Sequence, residues 1–298
     1  MIVSIGEAMV EFNQAEERRF LQGFGGDTSN MLIAAARSGA RTAYVTRVGD
    51  DEFGRMLLEL WKREGVDTSR VIVDREAPTG AYFVTHGPQG HVFSYLRSGS
   101  AASRLRPADL LDLANASFVH ASGISMAISQ SAADTVLAAF ENARGRISFD
   151  SNLRLKLWPL ARARAMIGAA AGMADYFFAS IEDARQLSGT ESPEENLDWA
   201  HRLGAKTVFL KLGADGVIVS DGKRRERIAG ISVKSVDATG AGDCFCGAAL
   251  ARLAAGDSIW EAARYANAAA ALATTGFGAV DPLPRPEAVR SLLESPAR

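Results

Sequence analysis

Short runs of β-branched and aromatic residues alternate with longer segments of helical period along most of this chain. "MIVSIG" gives way to "SNMLIAAARSG", and "TAYVTRVG" to "EFGRMLLELWKREG". The first of each pair has the length and residue types of a buried strand, whereas the second repeats its apolar positions every three or four residues. The alternation resumes with "ASFVHAS", a helix around 129–143, "RISFD", a helix around 161–172, "DYFFAS" and "KTVFLKLG". Strands apolar on both faces and separated by helices fit a parallel sheet covered on both sides, so the pattern predicts an α/β chain. Two further helices are expected near 240–255 and 258–273.

Two stretches interrupt the pattern. Residues 8–24 and 71–97 contain strand-like runs without a helix between them, among them "VIVD", "GAYFVTH" and "HVFSYL", separated by turn-rich "REAPT" and "GPQG". They are expected to form a small inserted β-sheet that closes over a cleft as a lid; an antiparallel extension of the main sheet is the alternative. With no repeat and no low-complexity linker, the 298 residues, 47% of them apolar, read as a single domain over 1–298.

A formal charge of −2 without long like-charge runs points away from nucleic acid and membrane surfaces and toward a small soluble ligand. The N-terminal segment lacks the pattern of an export signal, and no window of about 18 residues is apolar enough to span a bilayer. Cys244 and Cys246 stand too close for an unstrained disulfide, and two cysteines with four histidines do not make a zinc constellation. The cytoplasm is the expected compartment.

The densest chemistry lies in "DATGAGDCFCGAAL", residues 237–250. "ISVKSV" before it reads as a strand and "CFCGAALARLAA" after it as a helix, so "DATGAGD" would be a strand-to-helix junction. The first amides of a helix lack internal partners and carry the positive end of its dipole, and Gly240, Ala241 and Gly242 let an anion approach them. Asp243 would repel a phosphate there. It is either a helix cap or a base that takes a proton from a substrate hydroxyl while the amides hold the transferring phosphoryl group. The G-x-G-x-x-G and Walker patterns are absent, and "GISMA" does not make a serine-hydrolase elbow.

"DATGAGDCFCGAAL" resembles the C-terminal signature of the ribokinase-like (PfkB) carbohydrate kinases, and "GFGGDTSNMLIAAARSGARTAYVTRVGDDEFG" their N-terminal signature; the similarity covers essentially the whole chain. Ala238 departs from the family, many members of which have a hydroxyl residue there. The resemblance implies a Rossmann-type three-layer α/β/α sandwich with a β-sheet lid, and ATP-dependent phosphorylation of a primary alcohol. It implies that Asp243 is the catalytic base and that Gly240, Ala241, Gly242 and Asp243 form the anion hole. It also places Lys211, Gly213, Asp215 and Gly216 of "LKLGADG" near ATP and Asn267 near the adenine. Magnesium should accompany ATP, and Asp237 and Thr239 resemble a loop that holds a monovalent cation, K+, in some relatives.

"FGGDTSN", "FSYLRSGSAAS" and "FDSNLRLKLWP" resemble 2-keto-3-deoxygluconate kinases in particular, although the third is also close to fructokinases. An acid sugar needs cations and hydroxyl donors beyond those serving the phosphates. Tyr95 and Arg97, two apart on an expected lid strand, share a face; Arg154 follows the "RISFD" strand; and Tyr82 joins them in a plausible acid-sugar pocket. The alternative is that both arginines are solvated or pair with structural acids. By the same resemblance Gly26, Asn30 and Asp281 should contact the sugar, with Asn152 and Arg154 between sugar and nucleotide. Rival readings are a fructokinase or other neutral-sugar kinase and a non-catalytic sugar-binding regulator. Exposed lid edges suggest a homodimer.

Overall fold

The computed structural model describes residues 1–87 and 90–294; Pro88 and Gln89, at the centre of the expected "GPQG" turn, and residues 295–298 lie outside the described residues. In chain order the strands are β1 (Ile2–Ile5), β2 (Met9–Glu16), β3 (Arg19–Gly25), β4 (Thr42–Gly49), β5 (Val66–Asp67), β6 (Val71–Asp74), β7 (Gly80–Gly87), β8 (Gly90–Leu96), β9 (Phe118–Ser122), β10 (Arg146–Asp150), β11 (Tyr176–Ser180), β12 (Thr207–Lys211), β13 (Gly216–Ser220) and β14 (Arg225–Ala229). The α-helices are α1 (Asp27–Arg37), α2 (Glu52–Arg63), α3 (Gly123–Ala127), α4 (Gln130–Glu141), α5 (Leu160–Met173), α6 (Ile181–Ser188), α7 (Pro193–Leu203), α8 (Ala241–Ala255), α9 (Ile259–Ala273) and α10 (Pro286–Glu294).

The larger sheet runs β14-β13-β12-β11-β10-β9-β1-β4-β5, with β6 also on β4. It is parallel from β5 to β12, and its strand residues alternate between two cores. Tyr44, Phe178 and Phe209 pack with residues of α1, α2, α8 and α9, whereas Val45, Phe177 and Leu210 pack with residues of α3 to α7. That alternation is the three-layer sandwich expected of the sequence. The sheet departs from an all-parallel one at its edge: β13 and β14 are antiparallel. Only the turn Gly213–Asp215 separates β12 from β13, far too little chain for a parallel crossover.

The lid is a four-stranded sheet, β3-β2-β7-β8, in which β2 and β7 are parallel and the outer pairs antiparallel. Met9, Tyr82 and Val84 form its own small core, with Phe93 against them.

Two sequence expectations are corrected. "VIVD" is not part of the lid: β6 continues along β4 past the point where β5 ends, from Thr46 opposite Val71 to Gly49 opposite Asp74. Arg47 of β4 draws the Asp74 carboxylate to 3.0 Å, so the edge of the larger sheet captures this strand. "ISVKSV" is not a strand either. The segment runs irregularly, and the amides of Val236 and Asp237 donate to the Thr274 carbonyl at the end of α9 instead of to a neighbouring strand.

Candidate active site

From β1 the chain builds outward through β4 and β5, then crosses to β9 on the other side and continues outward to β14. Such a reversal leaves a crevice beyond the carboxyl ends of the strands, where open α/β sheets bind ligands. A cavity of about 1190 Å³ opens there, walled on the lid side by Tyr82, Phe93 and Tyr95.

Among the helices whose N-termini line this cavity, α1 and α8 have glycine as the cap, whereas α6 has Ser180. Ser or Asp side chains cap α2, α4, α6, α7 and α9, whereas Gly26 before α1 and Gly240 before α8 provide no side-chain acceptor. Of the first-turn amides of α8, that of Ala241 donates to the Ala238 carbonyl at 3.2 Å, which leaves those of Gly242 and Asp243 for a ligand, with the dipole favouring an anion. Gly240 has φ 76°, and a Cβ there would come within 3.0 Å of Ala279. Gly26 has φ 110°, and its Cβ would stand 2.4 Å from the Glu7 carbonyl. Glycine is required at both positions.

Asp243 lies in the first turn of α8, where its Oδ2 accepts from Asn30 Nδ2 at 2.8 Å. Phe245 seats the helix on the stacked rings of Phe178 and Phe209, and Gly247 lets α1 approach, since a Cβ there would meet the Met31 carbonyl at 2.2 Å. Loss of water, then the charge of Asp27, pushes the Asp243 carboxyl up to about 8. Lys211 Nζ pairs with Asp150 Oδ2 at 2.8 Å and lies 3.3 Å from where a Gly242 Cβ would be. Burial works against its charge, but Asp150 and the other anionic groups around it outweigh that and raise its proton affinity. A lasting cation thus stands beside the anion-binding turn.

On the sugar side, Arg97 pairs with buried Glu7, and its guanidinium carbon lies 5.3 Å from the Tyr95 ring centroid. Arg97 thus pairs with an acid and lines the cavity at the same time. Tyr82 donates its hydroxyl to buried Glu11 on β2. Its oxygen therefore faces other groups as an acceptor. Arg154 lines the same cavity and donates to the Leu153 carbonyl at 2.8 Å.

The cavity gathers most of the residues singled out from the sequence. Gly26, Asn30, Asn152, Lys211, Gly213 and Gly216 line it with those just described, and so do Thr239 and Asn267, whose Nδ2 donates to the Ala229 carbonyl at 2.9 Å. Asn152 adopts φ 26° and donates to Asp27 Oδ2 at 2.8 Å.

Three expected residues are not in the lining. Asp215 is exposed in the turn before β13, and Asp281 is exposed on the C-terminal loop. Asp237 is buried behind the α8 turn, where Oδ1 accepts from Thr239 N and Oγ1 and Oδ2 from Gly278 N. Sequence reading passed over Glu7, Asp27, Asp150 and Asp183, although each stands at or just beyond a strand's carboxyl end or at a helix N-terminus, where open α/β sheets bind ligands. In all, six carboxylates and four cations line the cavity among the described residues.

The model of the pfkB family carbohydrate kinases matches residues 1–286. A 2-dehydro-3-deoxygluconokinase of Thermoproteus tenax is 37% identical over 308 residues, which cover 99% of this chain and 94% of that one. Fructokinase-2 of Solanum habrochaites is 33% identical over 320 residues, covering 100% and 97%. Among solved structures, a fructokinase from Vibrio cholerae O395 with fructose, ADP and calcium bound superposes with a TM-score of 0.91 at 32% identity, covering 98% of this chain and 99% of the other. With the family model matching residues 1–286 and the fold in agreement, the chain belongs to the pfkB family of ATP-dependent carbohydrate kinases and has the ribokinase-like α/β fold.

Proposed function

We propose that this kinase transfers the terminal phosphoryl group of ATP to the terminal hydroxyl of 2-keto-3-deoxygluconate, releasing ADP and the 6-phosphate. One observation carries the chemistry: Asp243, held by Asn30, sits in the same helical turn as the uncapped amides of α8. The carboxylate accepts the hydroxyl proton as the oxygen attacks phosphorus, and the amides of Gly242 and Asp243 receive the charge on the equatorial oxygens. Lys211 adds a fixed positive charge beside them. Gly213, Gly216 and Asn267 provide the nucleotide end of the cavity, and the exposed Asp215 stands at its rim.

ATP supplies the phosphoryl group, and Mg2+ neutralises its phosphates. The residues fit such an ion: Asp27 Oδ1 and Asp150 Oδ1 are buried without hydrogen-bond partners. Among the described residues no cluster of His, Cys, Asp or Glu is arranged to hold a metal by itself, so the cation comes with the nucleotide. K+ at the 237–239 turn would be met by main-chain oxygens, because the Asp237 carboxylate already accepts from Thr239 and Gly278.

Arg154 and the free donors of Arg97 are the groups for the sugar's carboxylate, with Tyr82 accepting from a sugar hydroxyl. Gly26 and Asn30 give the sugar close backbone approach and a polar floor. Asp281 can take part only if its loop moves. We read residues 1–298 as one catalytic domain with a lid, working in the cytoplasm as a homodimer; exposed Leu21, Val92 and Leu96 on the lid support the pairing. No helix of the described residues is long and apolar enough to cross a membrane.

A fructokinase is the second reading, favoured by the Glu7–Arg97 pair, which offers a neutral sugar a neutralised wall. Coupled ATP turnover with a panel of acid and neutral sugars decides between them. The expected outcome is a kcat/KM at least about tenfold higher for the acid sugar, a difference one charged contact readily provides. Preference for fructose overturns the substrate assignment. In the same assay Asp243→Asn should lose about 100-fold or more in kcat while ATP still binds, and normal turnover would rule out Asp243 as the base.

A further inference from the structure

We infer that Arg37 is a positioning residue for the phosphoryl-binding turn, acting on it from behind through the C-terminal loop. Arg37 is the last residue of α1, and its side chain is almost wholly buried. Its Nε and Nη2 donate to the two oxygens of Glu64, each at 2.9 Å. Its Nη1 donates to the carbonyls of Val280 at 3.0 Å and Leu283 at 2.6 Å. One planar fork thereby ties a carboxylate and a loop in fixed relative orientation, which a lysine cannot reproduce.

The other side of that loop is the back wall of the turn before α8. Gly278 N donates to Asp237 Oδ2 at 3.0 Å, and Asp237 Oδ1 accepts from Thr239 N at 2.9 Å. Ala279 lies against Gly240, at the 3.0 Å where a Cβ would collide. A packed path therefore runs from Glu64 through Arg37 to residues 278–283 and on to Asp237 and Gly240. Arg37 does not line the cavity. Its helix nevertheless touches the site twice, because Asn30, seven residues earlier and about 10 Å along α1, holds the Asp243 carboxylate. One rigid helix thus fixes the base directly and the turn that carries it indirectly.

The inference rests on the carbohydrate-kinase assignment and not on the identity of the sugar. Arg37→Ala and Arg37→Lys are compared with Arg252→Ala, which removes a similar two-bond pair, to Asp257 at 2.7 and 2.8 Å, in the last turn of α8. Steady-state kinetics use whichever sugar the wild type phosphorylates, and hydrogen–deuterium exchange follows residues 237–243. Arg37→Ala should lower kcat by about 10- to 100-fold with KM for the sugar within about threefold, because a small misplacement of the turn acts on the transition state. Arg37→Lys should recover part of that loss. Exchange at 237–243 should quicken about tenfold in Arg37→Ala and stay unchanged in Arg252→Ala. If Arg37→Ala does not fold, Glu64→Gln provides the milder test, with about threefold faster exchange expected at the same residues. Unchanged exchange at 237–243, unchanged kcat, or an equal kcat loss in Arg252→Ala overturns the inference. The exchange readout needs no sugar, so failure of the substrate assignment is seen separately.

Discussion

As the proposed base, Asp243 combines two demands that oppose each other: it must be buried to face the reacting hydroxyl, and it must be ionised to take the proton. Loss of water and the neighbouring Asp27 push its carboxyl up to about 8. A base works in its deprotonated form, so kcat/KM for the sugar should climb as pH rises toward about 8 and level off above it. Asn30 donates to the charged form and holds the value down; Asn30→Ala should therefore move the rising limb to higher pH, which a pair of pH–rate profiles checks. The place of Asp243 in the first turn of α8 was legible in the sequence because everything that marks it is within three residues, in "GAGD". The partner of Arg97 was not, because Glu7 lies ninety positions away and only folding brings the two together. That pairing changes the expected effect of Arg97→Ala: a buried carboxylate loses its cation, at a cost of about 3–5 kcal/mol. Melting temperature should fall sharply, and adding Glu7→Gln should restore most of it, isolating any remaining effect on KM for the acid sugar.

At the scale of elements, the site depends on how closely α1 and α8 approach. Gly247 makes the approach possible, since a Cβ there would stand 2.2 Å from the Met31 carbonyl. Gly247→Ala should force the helices apart, costing about 1–3 kcal/mol of stability. It should also shift the acid limb of the pH–rate profile upward, because the 2.8 Å bond from Asn30 to Asp243 spans the same two helices. Thermal melts with pH–rate profiles check both effects. Helical period placed these elements well: the helices expected near 240–255 and 258–273 are Ala241–Ala255 and Ile259–Ala273. Strand period placed "VIVD" and "ISVKSV" less well. Alternation shows that a segment is extended but not which edge will accept its hydrogen bonds, and β4 took the first while no strand took the second.

For the whole molecule, the balance of charge in the cavity sets a requirement. Six carboxylates against four cations make a poor home for a bare triphosphate, so a divalent cation has to enter with it. Chelation with EDTA should abolish turnover and added Mg2+ should restore it, while the melting temperature of the protein without nucleotide stays put; a coupled assay and a thermal shift measure both. The amino-acid order alone determined the fold class and singled out the glycine turn and the carboxylate proposed as the base, because each depends on residues adjacent in the chain: periodicity within an element, and glycines beside a carboxylate. Folding had to decide which polar groups pair, where Glu7 meets Arg97, Asp150 meets Lys211 and Glu11 meets Tyr82. Those pairs join strands and loops distant in sequence, and their distances follow from the packing of the two cores and the lid, which no local pattern encodes.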